Sequence, residues 1–338
     1  MRRGALVAIV IALIVAHGAA WRLGADRLRT AVDTWIDEQR AAGLSVSHGA
    51  IDVGGYPATL NATIDAARLG ADGALQNTGG ATAPWRWSAD RLDVVLSALS
   101  PQSITLRPVG RQEVTIGASG PWVIEAKKTA ARLSGGDDTW RAALTLSAPT
   151  LTPPQTAGAP FEAALARTLS VRLASGPGGE TLDLSADADG VTTSAMTEAG
   201  LAARARITVT QSALTEDLAA WRAGGGRIVL RDITVTLPAA SAHLSGALTL
   251  DALGFPAGAL EADIENPAAF AKLLGDFGAV TPEQAAAAQA GLAMAAFTQG
   301  GRLKGPIVIE NGVATFKGVT LARLAPLPLR AAPARATP

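Results

Sequence analysis

The sequence of 338 residues predicts a mainly β protein with a β-rich α+β fold. Its core is expected to be a long curved antiparallel sheet, or two β lobes, with a few covering helices. Apolar and polar residues alternate in many short runs, such as 169–173 and 233–237, and this period of two is typical of half-buried strands. Turn-forming clusters such as 134–138 and 176–179 separate the runs. An uncharged apolar run predicts a transmembrane helix before the sheet.

Residues 1–21 are predicted to form a membrane anchor. Arg2 and Arg3 precede the uncharged run 5–20, and a positive start before an apolar core is kept in the cytoplasm during export. A spanning helix needs about 20 residues, with a lower limit near 17, and Trp21 suits the membrane interface. Residues 18–20 also resemble a signal-peptidase site, so the segment is either retained or cleaved. We favour retention, which predicts a single-pass inner-membrane protein with most of the chain in the periplasm.

The composition argues against several classes of function. The chain carries 29 basic and 29 acidic residues, and only Arg2 and Arg3 are charged among the first 20. The exported part therefore has a net charge of −2, which does not favour nucleic acid as a partner. The absence of cysteine excludes disulfides and a lipidated N-terminal cysteine.

A search for chemistry finds no catalytic, cofactor-binding or metal-binding residues. His17 lies in the apolar segment, while His48 and His243 stand alone on predicted strands, so a transition-metal site lacks ligands. Neither a nucleophile elbow nor a phosphate-binding glycine loop ending in lysine is present. We therefore expect no enzyme and no cofactor, and the sequence leaves the ligand-binding residues unknown.

Two groups of carboxylates come nearest to a metal-binding pattern. Asp183, Asp187 and Asp189 have a spacing similar to that of calcium ligands, but the segment lacks the glutamate that closes an EF-hand loop. Asp137 and Asp138 fall in a predicted turn, where acidic side chains are usually solvated.

The predicted elements follow in order. Residues 22–43 have helical periodicity, with a stripe that contains Leu28, Ala31, Val32, Trp35, Ile36 and Gln39. This helix is expected either to pack on the sheet or to lie on the membrane surface, and its acidic polar face favours packing. A strand pair follows around the turn 54–57, with Leu60, Ala62, Ile64 and Ala66 on one face. Trp85 and Trp87 share one face of the next strand, where core packing is favoured over a ligand platform.

Two helices and a hairpin are predicted late in the chain. Asn266-Pro267 and Thr281-Pro282 are typical helix starts, and they open helices that end near Gly275 and Phe297. The second helix has a candidate buried stripe formed by Leu292, Ala295, Ala296 and Gln299. Asn311-Gly312 between two alternating runs predicts a hairpin.

Four regions are expected. Residues 1–21 form the anchor, 22–150 a helix plus a first β lobe, 151–330 a second β lobe with two helices, and 331–338 a disordered tail. The division rests on the consecutive prolines Pro153 and Pro154, which cannot donate to a sheet ladder.

The chain also resembles a known family. The short anchor, the segment 39–43 after Trp35, Gly55-Tyr56-Pro57, Trp87-Ser88-Ala89, Pro101-Gln102, Asn311-Gly312-Val313 and 326–329 are similar to an alphaproteobacterial domain-of-unknown-function family, family 2125. That resemblance implies a membrane-anchored periplasmic protein and supplies no catalytic residues. A looser likeness is to AsmA-like envelope proteins, at the level of fold only.

Two functions are favoured at this point, and an enzyme of envelope polymers is a third, disfavoured alternative. A sheet with one apolar face must cover it with helices, another sheet or a ligand, and the predicted helices are few for this many strands. The first hypothesis is a protein that shelters or transfers lipid or another apolar envelope molecule. The alternative is a structural or interaction module without a ligand, whose outer surface binds envelope proteins. The expected partners are thus the inner membrane, lipid and envelope proteins.

Overall fold

The computed structural model describes residues 2–57, 59–71, 84–97, 100–117, 120–136, 139–154, 161–193, 200–210, 218–276, 282–297, 299–316, 318–324 and 326–327. For residues 2–15 this description covers the backbone alone. The predicted tail 331–338 and the acidic pair at 137–138 lie outside these residues.

The described residues form four α-helices and nineteen β-strands. The helices are α1 (Arg2–Ala41), α2 (Leu218–Ala223), α3 (Pro267–Asp276) and α4 (Pro282–Phe297). The strands are β1 (Ser45–Ser47), β2 (Ile51–Gly54), β3 (Thr59–Ala71), β4 (Trp85–Ser97), β5 (Ser100–Ile116), β6 (Pro121–Glu125), β7 (Lys128–Gly135), β8 (Trp140–Ser147), β9 (Thr150–Thr152), β10 (Ala164–Leu165), β11 (Thr168–Ser175), β12 (Thr181–Thr193), β13 (Leu201–Thr210), β14 (Arg227–Leu237), β15 (Ala240–Leu250), β16 (Pro256–Glu265), β17 (Arg302–Glu310), β18 (Val313–Phe316) and β19 (Val319–Arg323).

All the strands belong to one antiparallel sheet, which confirms the predicted fold class. Strands β1 and β2 both pair with β3, and the chain then runs as a meander through β4 and β5. Three rows of the meander contain two strands each: β6 with β7, β9 with β8, and β10 with β11. From β12 to β19 each strand pairs with the next in the chain. Strands from both sides of Pro153 and Pro154 hydrogen-bond to each other, while the division at residue 150 stays a prediction.

Irregularities of the backbone in neighbouring rows lie on one line across the long strands. We call this line the crease. On β3 the line passes through Ala66, which has φ of 47°, and on β5 it passes through Gly110, which has φ of 82°. In the next rows it falls at the breaks 126–127, 148–149 and 166–167 between paired strands. Backbone hydrogen bonds continue across these breaks, for example from Lys127 N to Ser147 O (3.0 Å) and from Ala148 N to Arg167 O (2.9 Å). The register shifts at this line between β4 and β5 and between β12 and β13. Because a β-bulge bends its strand, we infer that the sheet bends along the crease.

One predicted register is wrong at this crease. The sequence pattern placed Ala66 on the same face as Ile64 and placed Ala67 on the opposite face. In the structure Ala66 has a φ of 47° and Ala67 is buried on the face of Ile64. Ile64 pairs with Leu92 and Ala67 with Ala89, so the alternation slips by one residue.

Helix α1 packs on the end of the sheet that the N-terminal strands form. It continues without a break from residue 2 to Ala41. Its buried residues are Ala25, Leu28 and Ile36, which confirms part of the predicted stripe. Trp35 was predicted to be in that stripe, but 48% of its surface is exposed. The helix turns Ile36 rather than Trp35 to the sheet, since the spacing 25, 28, 32, 36 keeps smaller side chains on the contact face.

Helices α3 and α4 form the predicted late pair and pack against strands β15 and β17. Their hydrophobic core contains Leu260, Ala262, Leu303, Ile307, Ile309, Ala314 and Phe316. Leu292 of α4 packs against it, and Ala296 is buried, as predicted. The predicted hairpin is confirmed too, since Asn311 and Gly312 both have positive φ between β17 and β18.

No helix among the described residues combines the length and the apolar character that crossing a membrane requires. An N-terminal helix is therefore present, and the predicted membrane span stays a prediction.

Candidate functional site

The main candidate site is the apolar face of the sheet. Cross-strand partners place aliphatic side chains opposite one another from row to row. Leu146 and Ala188 both pair with Leu169, and Leu173 and Ile207 both pair with Leu184. On β14 and β15 the same face continues through Ile228, Leu230, Ile233, Leu244 and Leu248. We call this continuous surface the apolar trough.

Burial along the crease indicates which face of the sheet lies on the inner side of the bend. One side chain from each of five neighbouring rows is at least nine-tenths buried just beside the bulge line, and all of them face the trough: Ala67, Ala89, Gln112, Thr129 and Leu146. Their rows are in register, because Ala89 pairs with Ala67 and Gln112, and Leu146 pairs with Thr129. Side chains become crowded on the inner side of a bend. The apolar face is therefore the inner face of the folded sheet.

Among the residues that the structure describes, those that cover the trough lie at its two ends. At the first end α1 lies against β1, β2 and β3, where Ala62 and Ile64 are buried. Gly24 of α1 approaches so closely that a Cβ there would lie 3.1 Å from Leu60 Cδ1. At the other end α3 and α4 cover the core around Phe316.

Between these ends the aliphatic side chains of the trough are only partly covered. Leu144, Val171, Leu184 and Ile207 are neither buried nor completely exposed. At the rims the exposure rises to 39% for Ile104, 42% for Leu133 and 58% for Ile116. Trp140 and Trp85 also face the trough near the rims, since they pair with Gly135 and Ile116 respectively. Trp85 and Trp87 thus share a face as predicted, and that face is the half-covered wall of the trough.

A few polar groups interrupt this apolar surface. Gln112 Nε2 donates to Thr129 Oγ1 at 3.1 Å, and both residues are buried in the crease. The indole nitrogen of Trp85 is buried and has no hydrogen-bond partner among the described residues. A buried indole N–H normally finds an acceptor, so a bound molecule with an oxygen near Trp85 would satisfy it.

The opposite, outer face of the sheet is polar and carries ion pairs across the strands. Arg204 donates from Nε to Asp187 Oδ1 at 2.9 Å, and Arg302 donates from Nη2 to Asp263 Oδ2 at 2.9 Å. The hydrogen bond from Arg302 lowers the pKa of Asp263 below its ordinary value of 3.8. The hydrogen bond to Asp187 likewise raises the pKa of Arg204. These pairs are exposed and contribute little stability each, but they keep the outer face hydrated.

The structure disperses the residues that the sequence had raised as metal ligands. Asp183, Asp187 and Asp189 lie at outer-face positions along strand β12 rather than in a loop. Asp183 accepts from Thr208 Oγ1 at 2.6 Å, and the other two pair with arginines. His243 lies 3.2 Å from Asp232, measured from Nδ1 to Oδ1, and His48 bonds its neighbouring backbone. The described residues contain no group of three or more potential metal ligands.

A small aromatic cluster joins the body to the end of the apolar N-terminal run. Tyr56, at the turn between β2 and β3, lies 5.6 Å from His17 and 5.6 Å from Trp21, between ring centroids. Trp21 Nε1 donates to Thr59 O at 3.0 Å, and His17 Nε2 lies 3.0 Å from Pro57 O. This turn therefore fixes α1 where its uncharged segment ends.

The sequence did not identify the site. Its apolar residues were visible as alternating patterns, but which of them face an open trough depends on where the helices pack. The phase slip between Ile64 and Ala67 was the one available signal for the crease.

Comparison with known proteins identifies a family. A family model described as "Uncharacterized protein conserved in bacteria (DUF2125)" matches residues 21–328. No curated protein and no solved structure matches the chain. Since the family model covers most of the chain, the protein belongs to the DUF2125 family.

Proposed function

We propose that this member of the DUF2125 family is a binding protein rather than an enzyme, and that it shelters the acyl chains of a phospholipid in the apolar trough. The observation that carries the proposal is the concave aliphatic face, which helices cover at both ends and leave partly exposed between them. Burial of apolar surface stabilises by about 25 cal/mol per Å², so an uncovered face of this kind favours an apolar occupant.

The dimensions of the trough favour acyl chains. The rows from β4 to β14 are eight in number, since three of them contain two strands. Seven intervals of about 4.8 Å give a length of about 34 Å. One leaflet of a bilayer is about 15 Å deep in its hydrocarbon part, so the trough is long enough for an extended diacyl lipid. Each methylene that leaves water contributes about 0.8 kcal/mol.

The position of α1 supports a membrane setting for this binding. We propose that residues 1–21 anchor the protein in the inner membrane, with the sheet in the periplasm. Arg2 and Arg3 before an uncharged run favour this orientation, and Trp21 with Tyr56 suits an interfacial aromatic belt. The end of the sheet covered by α1 would then adjoin the bilayer, from which lipid is supplied.

A matched pair of substitutions tests the lipid proposal. Leu144 faces the trough and Thr145 faces the outer side of the same strand. The complete chain should be extracted in mild detergent and examined by native mass spectrometry for co-purified phospholipid. We expect bound lipid in the wild type and in Thr145→Asp, and its loss in Leu144→Asp, because a carboxylate in the trough loses hydration when an acyl chain covers it. Circular dichroism should give the same strand signal for all three proteins.

Two results would contradict the proposal. Wild-type protein that is monomeric, stable and free of lipid would favour the alternative, a structural or interaction module. Equal lipid content in Leu144→Asp and wild type would place the lipid elsewhere, for example around the N-terminal helix.

A further inference from the structure

A second site lies on the outer face, where five arginines surround a shallow cavity. The cavity has a volume of about 660 Å³, and its charged lining consists of Arg132, Arg141, Arg172, Arg206, Arg231 and Asp183. With one carboxylate against five guanidinium groups, the lining has a net charge of +4. The whole chain has a formal net charge of zero, so positive charge is concentrated here.

The register of the sheet creates the cavity. Arg132 on β7 pairs with Ala143 on β8, and Ala143 in turn pairs with Arg172 on β11. Arg172 pairs with Ser185, which pairs with Arg206 on β13. Long arginines therefore alternate with alanine or serine from strand to strand, about 10 Å apart. The small residues form the floor, and the guanidinium groups form the walls.

Two of the five arginines are held by the protein. Arg231 Nε donates to Thr208 Oγ1 at 2.7 Å, and Thr208 donates to Asp183 Oδ1 at 2.6 Å. Arg172 Nη1 lies 3.5 Å from Asp187 Oδ2, a carboxylate that it shares with Arg204. These contacts engage Asp183, the one carboxylate of the lining, and hold the side chain of Arg231 in place.

The other three arginines differ from those elsewhere on this face. Within the described residues no carboxylate lies within ion-pair distance of Arg132, Arg141 or Arg206, whereas Arg167, Arg204 and Arg302 each have one. Arg132 and Arg141 are diagonal neighbours on β7 and β8, so their like charges repel each other. An anion bound between them would remove this cost.

We propose that this five-arginine cavity binds an anion that carries at least one phosphate group. Guanidinium groups match phosphate oxygens in planar, bidentate geometry, and several of them around one cavity suit a ligand with two or more negative charges. The phosphate belongs either to a lipid headgroup that reaches over the strand ends beside Arg141 or to a free phosphate compound. The proposal does not depend on lipid in the trough.

Matched charge variants of the complete chain in detergent micelles test the site. The site variant combines Arg132→Gln, Arg141→Gln and Arg206→Gln. The control combines Arg111→Gln, Arg167→Gln and Arg302→Gln, each of which has a carboxylate partner outside the cavity, so each variant loses three charges from the same face. Isothermal titration calorimetry should measure binding of inorganic pyrophosphate and, in a second arm, of water-soluble dihexanoyl phosphatidate. We expect the control to bind within about threefold of the wild type, and the site variant to bind at least about 100-fold more weakly, since each charge-assisted contact is worth about tenfold.

The two arms identify the source of the phosphate. Phosphatidate binding at least about tenfold tighter than pyrophosphate binding assigns a lipid headgroup, and the reverse order assigns a free phosphate compound. A further variant, Arg141→Lys with Arg206→Lys, keeps the charge and loses the planar fork, so it should bind with intermediate affinity. The proposal is overturned if the wild type binds neither probe. It is equally overturned if site and control variants lose affinity to the same extent, which would indicate a general charge effect.

Discussion

The partial cover of the trough leads to a prediction about protein stability that can be tested without a ligand. Leu303 and Leu133 both face the apolar side of the sheet, but Leu303 is 0% exposed under α4 and Leu133 is 42% exposed at the rim. Leu303→Ala removes completely buried carbon atoms and leaves a cavity, so the expected loss in free energy of unfolding is about 3–5 kcal/mol. Leu133→Ala removes three carbon atoms that are little more than half buried and leaves no closed cavity. At about 0.8 kcal/mol for each completely buried methylene, the expected loss is about 1.4 kcal/mol.

Urea unfolding of delipidated protein, followed by the strand signal in circular dichroism, measures both losses. The two variants should separate clearly in their midpoints at a similar slope. Losses of the same size for Leu133→Ala and Leu303→Ala would mean that protein covers the trough, which would contradict the proposed open surface.

Three further predictions concern single residues that stabilise the sheet and helix α2. In Gly226→Ala the new methyl group would overlap the buried ring of Trp221, so a clear drop in melting temperature is expected, and an unchanged value would contradict the packing of α2. Gly110→Ala should destabilise too, because φ is 82° and the methyl group would meet the carboxylate of Asp90; an equally stable protein would argue against the bulge. Arg302 lowers the pKa of Asp263 below 3.8, so its stabilisation is complete above that pH and is lost as the pH falls through the lower folded value. The difference in melting temperature between wild type and Arg302→Gln should therefore stay constant from pH 7 to about pH 4 and shrink as the pH falls below 3.8. A difference that persists at lower pH would exclude this ion pair as the cause.

Local patterns predicted most elements of this fold. The alternation of apolar and polar residues identified the strands, and Asn311-Gly312 identified a hairpin that the structure contains. Asn266-Pro267 marked the start of α3 because proline suits the first turn of a helix. In each case the information lies within a few residues of the element.

The crease could not be predicted in the same way. Ala66 and Ala148 adopt positive φ, which their side chains do not favour, so their identity gives no indication of a bulge. The cross-strand register imposes these conformations. Similarly, the period of a helix left both Trp35 and Ile36 as contact residues, and the packing of α1 buries only Ile36.

The two candidate sites depend on contacts between distant segments. Within the described part of the chain, α1 and the α3–α4 pair cover only the ends of the trough, and coverage is a property of tertiary packing. The arginine cavity joins residues of β7, β8, β11, β13 and β14, whose register follows from the meander. In the sequence each of these arginines is an ordinary outward-facing residue.

We infer that acyl chains lie against the apolar face, and a photo-crosslinking scan along β11 is the decisive measurement. A photoreactive amino acid should be placed in turn at positions 168, 169, 170, 171 and 173 of the complete chain, in cells labelled with radioactive phospholipid. Positions 172 and 174 line the arginine cavity and are left out. We expect crosslinks at Leu169, Val171 and Leu173, whose partners line the trough, and none at the outward positions 168 and 170. Absence of lipid crosslinks at all five positions, or equal labelling without the two-residue period, would contradict this expectation.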